Sequence, residues 1–144
     1  MTTTINPYLI FNGNCEDAFN FYKSVFGGEF EYIGRFKDMP QEEGCNEMPE
    51  NYANKIMHVC FHIGKETYLM GSDNNPEFGE VTFGQNMNIS IVTDTKTEAD
   101  RLFVGLSDDA TITMPMKDMF WGDYFGMLTD KFGVMWMISY RKSQ

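Results

Sequence analysis

Apolar positions along the chain switch between two periods, and the switches mark the elements. The run INPYLIF at 5–11 is rich in strand formers and is closed by the turn-like NGN at 12–14. Ala18, Phe21, Tyr22, Val25 and Phe26 then recur at i, i+3, i+4 spacing, which predicts a helix. Asn14 is its expected N-cap, Glu16 and Asp17 sit where the dipole favours carboxylates, and Gly27-Gly28 ends it. EFEYIGRF (29–36) reads as a strand. KIMHVCFHIG (55–64) follows with period 2, then a turn at Gly64-Lys65 and a hairpin partner, ETYLMG (66–71).

The same order then recurs. After a polar segment with Gly and Pro at 72–86, MNISIVT (87–93) reads as a strand. Thr95 and Glu98 have capping-box spacing, and Ala99, Leu102, Phe103 and Leu106 make an apolar stripe. Three strands follow in ATITMPMKDMF, GDYFGMLT and GVMWMISY, with a turn at 130–133. Aligning Ala18 with Ala99 lays Phe21-Tyr22 over Leu102-Phe103. The expectation is an α+β fold made of one duplicated βαβββ module: module one at 5–71, a linker at 72–86 and module two at 87–140. Each module is a mostly antiparallel sheet with its helix outside.

Composition narrows the function classes. In 144 residues, 42% hydrophobic and 15% aromatic, there is enough apolar material for a packed core. The net charge of −10, with only 11 basic residues and no basic run, argues against a nucleic-acid groove. No segment approaches the ~20 apolar residues of a membrane span. MTTTINPY has neither the basic start nor the apolar stretch of a secretory leader. Three cysteines without paired spacing suit a reducing compartment, so a cytoplasmic location is expected. Between 38 and 54, Asp38, Glu42, Glu43, Glu47 and Glu50 read as a solvated face, since the Asp/Asn ladder of a calcium loop is missing.

Candidate chemistry concentrates in KIMHVCFHIG. His58, Cys60 and His62 share one face of the predicted strand, opposite Met57, Val59, Phe61 and Ile63. At ~3.3 Å per residue the two histidine backbones stand about 13 Å apart. That is too far for both to reach one zinc ion on a regular strand. His58 with Cys60 can converge, but a metal site would need two further ligands, from the acidic loop or Asp73. As a nucleophile and base, Cys60 and a histidine lack any sign of an oxyanion hole or a lowered thiol pKa. His58 remains the candidate ligand contact or general base, because its ordinary pKa lies near neutrality.

The stretches NGNCEDAFNFYKSVFGGEF and WGDYFGMLTDKFGVMWMIS resemble the vicinal oxygen chelate superfamily (the glyoxalase/bleomycin-resistance fold), and within it the PhnB-like branch. The resemblance covers 5–140. It implies two curved sheets whose concave sides form a cup for a ligand, helices on the outer face, and a homodimer. Metal-dependent relatives hold an ion with four side chains, from the first and last strands of each module. Those places fall near Asn6, Met70, Met87 and Met137. Their neighbours Tyr68, Leu69, Gly71, Asn88, Met135 and Ile138 offer no strong ligand for a hard or borderline ion either. Copper(I) is the one ion that favours methionine, although filling irregular apolar space is the commoner use of that side chain. His58 and Asp73 fall at places where PhnB-like sequences carry the same residues.

The first reading is therefore a binding module without a metal or other cofactor, holding a small hydrophobic or aromatic molecule for sequestration or sensing. Its candidate wall is Tyr8, His58, Met70, Asp73, Met87, Trp121, Phe125 and Met137. The alternative is a lyase, isomerase or dioxygenase relative that uses a divalent metal on other ligands, or His58 alone. PhnB-like chains have been labelled 3-demethylubiquinone methyltransferases, but the glycines here fit turns and a helix stop rather than a methyl-donor loop. P-loop, GxSxG and CxxC patterns are absent.

Overall fold

The computed structural model describes residues 3–39, 49–64 and 66–141. Glu42, Glu43, Glu47 and Lys65 lie outside the described residues. The first unit, Met1–Val81, holds β1 (Tyr8–Phe11), α1 (Cys15–Phe26), β2 (Phe30–Arg35), β3 (Ile56–Ile63) and β4 (Thr67–Asp73). The second, Thr82–Gln144, holds β5 (Ile89–Thr93), α2 (Lys96–Leu106), β6 (Thr111–Asp118), β7 (Asp123–Thr129) and β8 (Met135–Arg141). Each unit has one mixed four-stranded sheet, ordered β1-β4-β3-β2 and β5-β8-β7-β6. The first strand of each pairs in parallel with the last, and the other pairings are antiparallel. The fold is α+β, with the βαβββ order used twice.

Two boundaries differ from the sequence reading. Strand β4 continues through Ser72 and Asp73, which the hydropathy pattern assigns to the linker, because Asp73 pairs with Phe11 and anchors three backbone amides. Strand β5 begins at Ile89 rather than at 87, so Met87 precedes it.

Register makes the duplication concrete. Tyr8 pairs with Met70 and Ser90 with Met137; Cys60 pairs with Met70 and Met127 with Met137. The outermost pairing slips at the same place in both units. Phe30 faces Phe61 but Tyr32 faces Cys60; Ile112 faces Leu128 but Met114 faces Met127. One extra residue, Glu31 or Thr113, is accommodated as a bulge and re-aims the strand beyond it.

One face of each sheet takes its helix. From α1, Cys15, Ala18, Phe19, Tyr22 and Val25 are buried, and from α2, Ala99, Leu102, Phe103 and Leu106. They meet Val59, Phe61 and Leu69 in the first unit and Leu128, Trp136 and Ile138 in the second. Each helix also presses a phenyl ring onto a sheet glycine. A Cβ on Gly71 would come 2.7 Å from both the Phe19 ring and the Leu9 carbonyl oxygen, and one on Gly126 would come 2.9 Å from the Phe103 ring. Glycine permits this approach.

The start of α1 is tied down by a carboxylate from another strand. Asn14 makes no side-chain cap; instead Asp73 Oδ1 accepts from the amides of Gly13 and Cys15, both at 2.9 Å, and Oδ2 accepts from Ile56 N at 2.9 Å. A buried anion at a helix start is favoured by the free amides and the dipole there. Thr95 does cap α2, accepting from Glu98 N, while the Glu98 carboxylate holds Arg101 rather than closing the box. Asp130 plays the corresponding part in the β7–β8 turn, accepting from Phe132 N, Val134 N and Trp136 Nε1. Asn12 secures the end of the first unit by exchanging two hydrogen bonds with Val81.

Replacing Asp73 with alanine strands three amides, two of them buried, and is expected to cost at least about 3 kcal/mol in urea unfolding. Gly71→Ala should cost about 1–3 kcal/mol by the same measurement, since backbone as well as a ring must move. A neutral Gly71→Ala would mean that the Phe19 contact is slack.

Candidate functional site

Paired strand residues share a face, so the register fixes what lies opposite each helix. In the first unit that open face carries the row Tyr8–Met70–Cys60–Tyr32 across all four strands. His58 lies beside the row, paired with Gly34, and His62 pairs with Tyr68. Tyr8 and Tyr32 are 45% and 49% exposed, enough ring surface to meet a ligand.

His58 is the centre of this face. Tyr8 Oη lies 3.1 Å from His58 Nδ1, and the two rings stack with centroids 5.6 Å apart. The Tyr32 ring approaches from the other side, at 5.9 Å. Gly34 makes room for it, because a Cβ there would stand only 2.9 Å from Tyr32 Cζ. The imidazole is thus flanked by two phenols and oriented by one. A phenol O–H donating to Nδ1 leaves the proton on Nε2, whereas Nδ1–H donating to the phenol leaves Nε2 as a base.

The other polar groups of the motif do less. Burial, and secondarily Glu31, pushes the Cys60 thiol above its ordinary pKa, the reverse of what a nucleophile needs. His62 stacks on Tyr68 at 4.8 Å, and the Tyr68 hydroxyl is itself pushed up, chiefly by Glu31. Among the described residues, no three His, Cys, Asp or Glu side chains lie close enough together to hold an ion. Asn6 is already engaged: its Oδ1 accepts from Tyr68 N at 2.9 Å.

In the second unit the corresponding row is Met114–Met127–Met137–Ser90. Phe125, paired with Ser139, holds the place that His58 holds in the first unit, and Met137 holds that of Met70. Trp121 lies at the β6–β7 hairpin tip, its ring 6.0 Å from Phe125 and its Nε1 donating to Asp123 Oδ2 at 3.0 Å. Arg141 holds the Asp123 carboxyl below its ordinary range.

Two candidate residues stand elsewhere. Asp73 is 3% exposed, on the helix side of its strand, with its oxygens committed to backbone. The parity of β4 explains this: Met70 and Ser72 face one way, Leu69, Gly71 and Asp73 the other. Met87 precedes β5 and is 81% exposed, so it belongs to neither row. Conversely, Tyr32 and Met114 are on the open faces without having been singled out from sequence, because a bulge shifts the parity of the outer strands. Met127, on the regular inner strand β7, has the same parity as Phe125 and was passed over as well.

A hollow of 350 Å³ lies on the helix side of the first sheet, beside Gly13, Glu16, Arg35, Lys55 and Asp73. Three of its charged groups are held by protein partners besides Asp73. Arg35 makes a two-pronged bond to Glu16, holding that carboxyl below its usual range, and Lys55 Nζ donates to Gly13 O at 2.8 Å.

Residues 3–139 match the family model described as 3-demethylubiquinone-9 3-methyltransferase. The chain is 33% identical to Protein YjdN of Escherichia coli (strain K12) over 147 residues, 97% of each chain. It is similar to the solved structure of protein PA1353 from Pseudomonas aeruginosa, with TM-score 0.82, 38% identity and coverage of 99% and 100%. A PhnB protein from Bacillus cereus is 28% identical, with TM-score 0.76 and coverage of 96% and 99%. With the βαβββ order present twice and the match running from end to end, the chain belongs to this PhnB-like family.

Proposed function

We propose that the protein binds a small, flat, mainly apolar molecule carrying one hydrogen-bonding group, and sequesters or senses it. The observation that carries this reading is the imidazole of His58 set between the rings of Tyr8 and Tyr32 on an open sheet face. Rings on either side supply stacking surface, and the imidazole supplies a directed polar contact. Met70 beside them gives an adaptable wall. We further propose that it acts in the cytoplasm as a homodimer.

Two groups that the superfamily and the family description bring to mind do not fit these residues. At the places where the superfamily resemblance puts an ion, near Asn6, Met70, Met87 and Met137, stand an amide and thioethers, and the strand partners Tyr8 and Ser90 add only hydroxyls, instead of imidazoles and carboxylates. A methyl donor of the common kind wants a glycine-rich loop after a parallel strand. Here Gly13, Gly27 and Gly28 adopt positive φ in a turn and at a helix stop. A second reading, proton transfer by His58, is favoured by the Tyr8 hydrogen bond, which orients the ring in either tautomer.

Binding is expected to be measurable with a naphthalene-type fluorescent probe such as anilinonaphthalene sulfonate. His58→Ala and Tyr8→Phe should then each weaken it by up to about tenfold, the worth of one hydrogen bond near 1.4 kcal/mol. Gly34→Ala should weaken it as well by displacing the Tyr32 ring while leaving the chemical identity of every contacting side chain unchanged. Unchanged binding in all three variants would refute the proposal. Cys60 should be alkylated by iodoacetamide more slowly than free cysteine at pH 8, because its raised pKa keeps the thiol protonated there, and peptide mass spectrometry reads the rate. Fast alkylation would reopen the nucleophile reading.

A further inference from the structure

We infer that Met114, Met127 and Met137 form a thioether site for a soft monovalent ion, copper(I). The three residues occupy one register row on three adjacent strands, β6, β7 and β8. Neighbouring strands lie ~4.8 Å apart, so the outer two backbones stand about 10 Å from each other. A methionine side chain has three rotatable bonds and can lean by the few ångströms needed to bring three sulfurs around one centre. The bulge at Thr113 is what allows it. Without the slip, Met114 would not face Met127, and the row would hold two thioethers instead of three.

Filling space, the usual task of methionine, falls here to a different residue. Met116 lies on the helix side, where its sulfur would come 2.5 Å from a Cβ on Gly126. The row faces the other way and is half-buried rather than sealed. The equivalent places in the first unit hold Tyr32, Cys60 and Met70, so the module itself does not demand thioethers there.

The donor set selects the ion. Thioethers are neutral and soft, and they favour copper(I) over zinc or harder divalent ions. The fourth place in the row is Ser90 and the neighbour along β7 is Thr129, so no carboxylate or imidazole of this row competes for a harder metal. A net charge of −10 raises the local concentration of any cation. Thioethers do not titrate, so affinity should be flat between pH 5 and 7.5, unlike that of a thiolate or imidazole site. This inference is independent of the His58 reading and stands or falls separately.

The test is titration of the full chain with copper(I), supplied anaerobically as its acetonitrile complex, with the ε-methyl groups of the 12 methionines followed by carbon-13 NMR. Three methyl signals should shift together and saturate at one equivalent. Each of Met114→Leu, Met127→Leu and Met137→Leu should remove one of the three and weaken binding by about tenfold or more. Leucine conserves volume, so the variants should fold, and their urea unfolding checks this. Uptake of copper(I) with no methyl shift would place the ion on cysteine thiols and overturn the inference. So would uptake that survives the triple leucine variant, or a failure to bind at all.

Discussion

The constraint on which the rest depends is the pleat. A strand residue points toward its helix or away from it, and each helix claims its side of the sheet with buried rings. Phe19 over Gly71 and Phe103 over Gly126 bring helix and sheet into contact, leaving the alternate positions free of core duty. Those alternate positions are where the chemistry stands: Tyr8, Tyr32, His58, Cys60 and Met70 in one unit, Met114, Phe125, Met127 and Met137 in the other.

The two open faces have diverged along equivalent registers. Where the first unit has His58, the second has Phe125; where the first has Tyr32 and Cys60, the second has Met114 and Met127. Met70 with Met137, and Ser72 with Ser139, match in kind. One unit therefore presents hydrogen-bonding aromatic groups and the other soft sulfur, on backbones paired alike. Fold and chemistry are separable at this level, as expected of a scaffold used for many tasks.

Much of the architecture was legible in the sequence because periodicity reports burial directly. The helix stripe from Ala18 to Val25, the Thr95 cap and the alternation in KIMHVCFHIG each have a local cause, and each element formed where that cause lies. The placement of His58 on an open face followed from the same alternation. Asp73 was not legible, because its role depends on amides 17 to 60 residues away and only folding brings them to it. Nor were Tyr32 and Met114, since alternation counted along the strand cannot register an unpaired residue. Met87 shows the converse: apolar character next to a strand pattern extended the expectation two residues beyond the hydrogen-bonded ladder.

The bulge residues Glu31 and Thr113 are unpaired in their ladders, so the identity of either side chain matters little to the sheet. Their presence matters no more to which way the strand beyond them faces. Were either residue lost, Phe30 and Tyr32, or Ile112 and Met114, would become neighbours and keep the same partners, Phe61 and Cys60 or Leu128 and Met127, in a regular ladder. A one-residue gain or loss in a lineage of such proteins is therefore absorbed where it falls, and the two open faces diverge by substitution on a pairing that length changes at these two points leave intact.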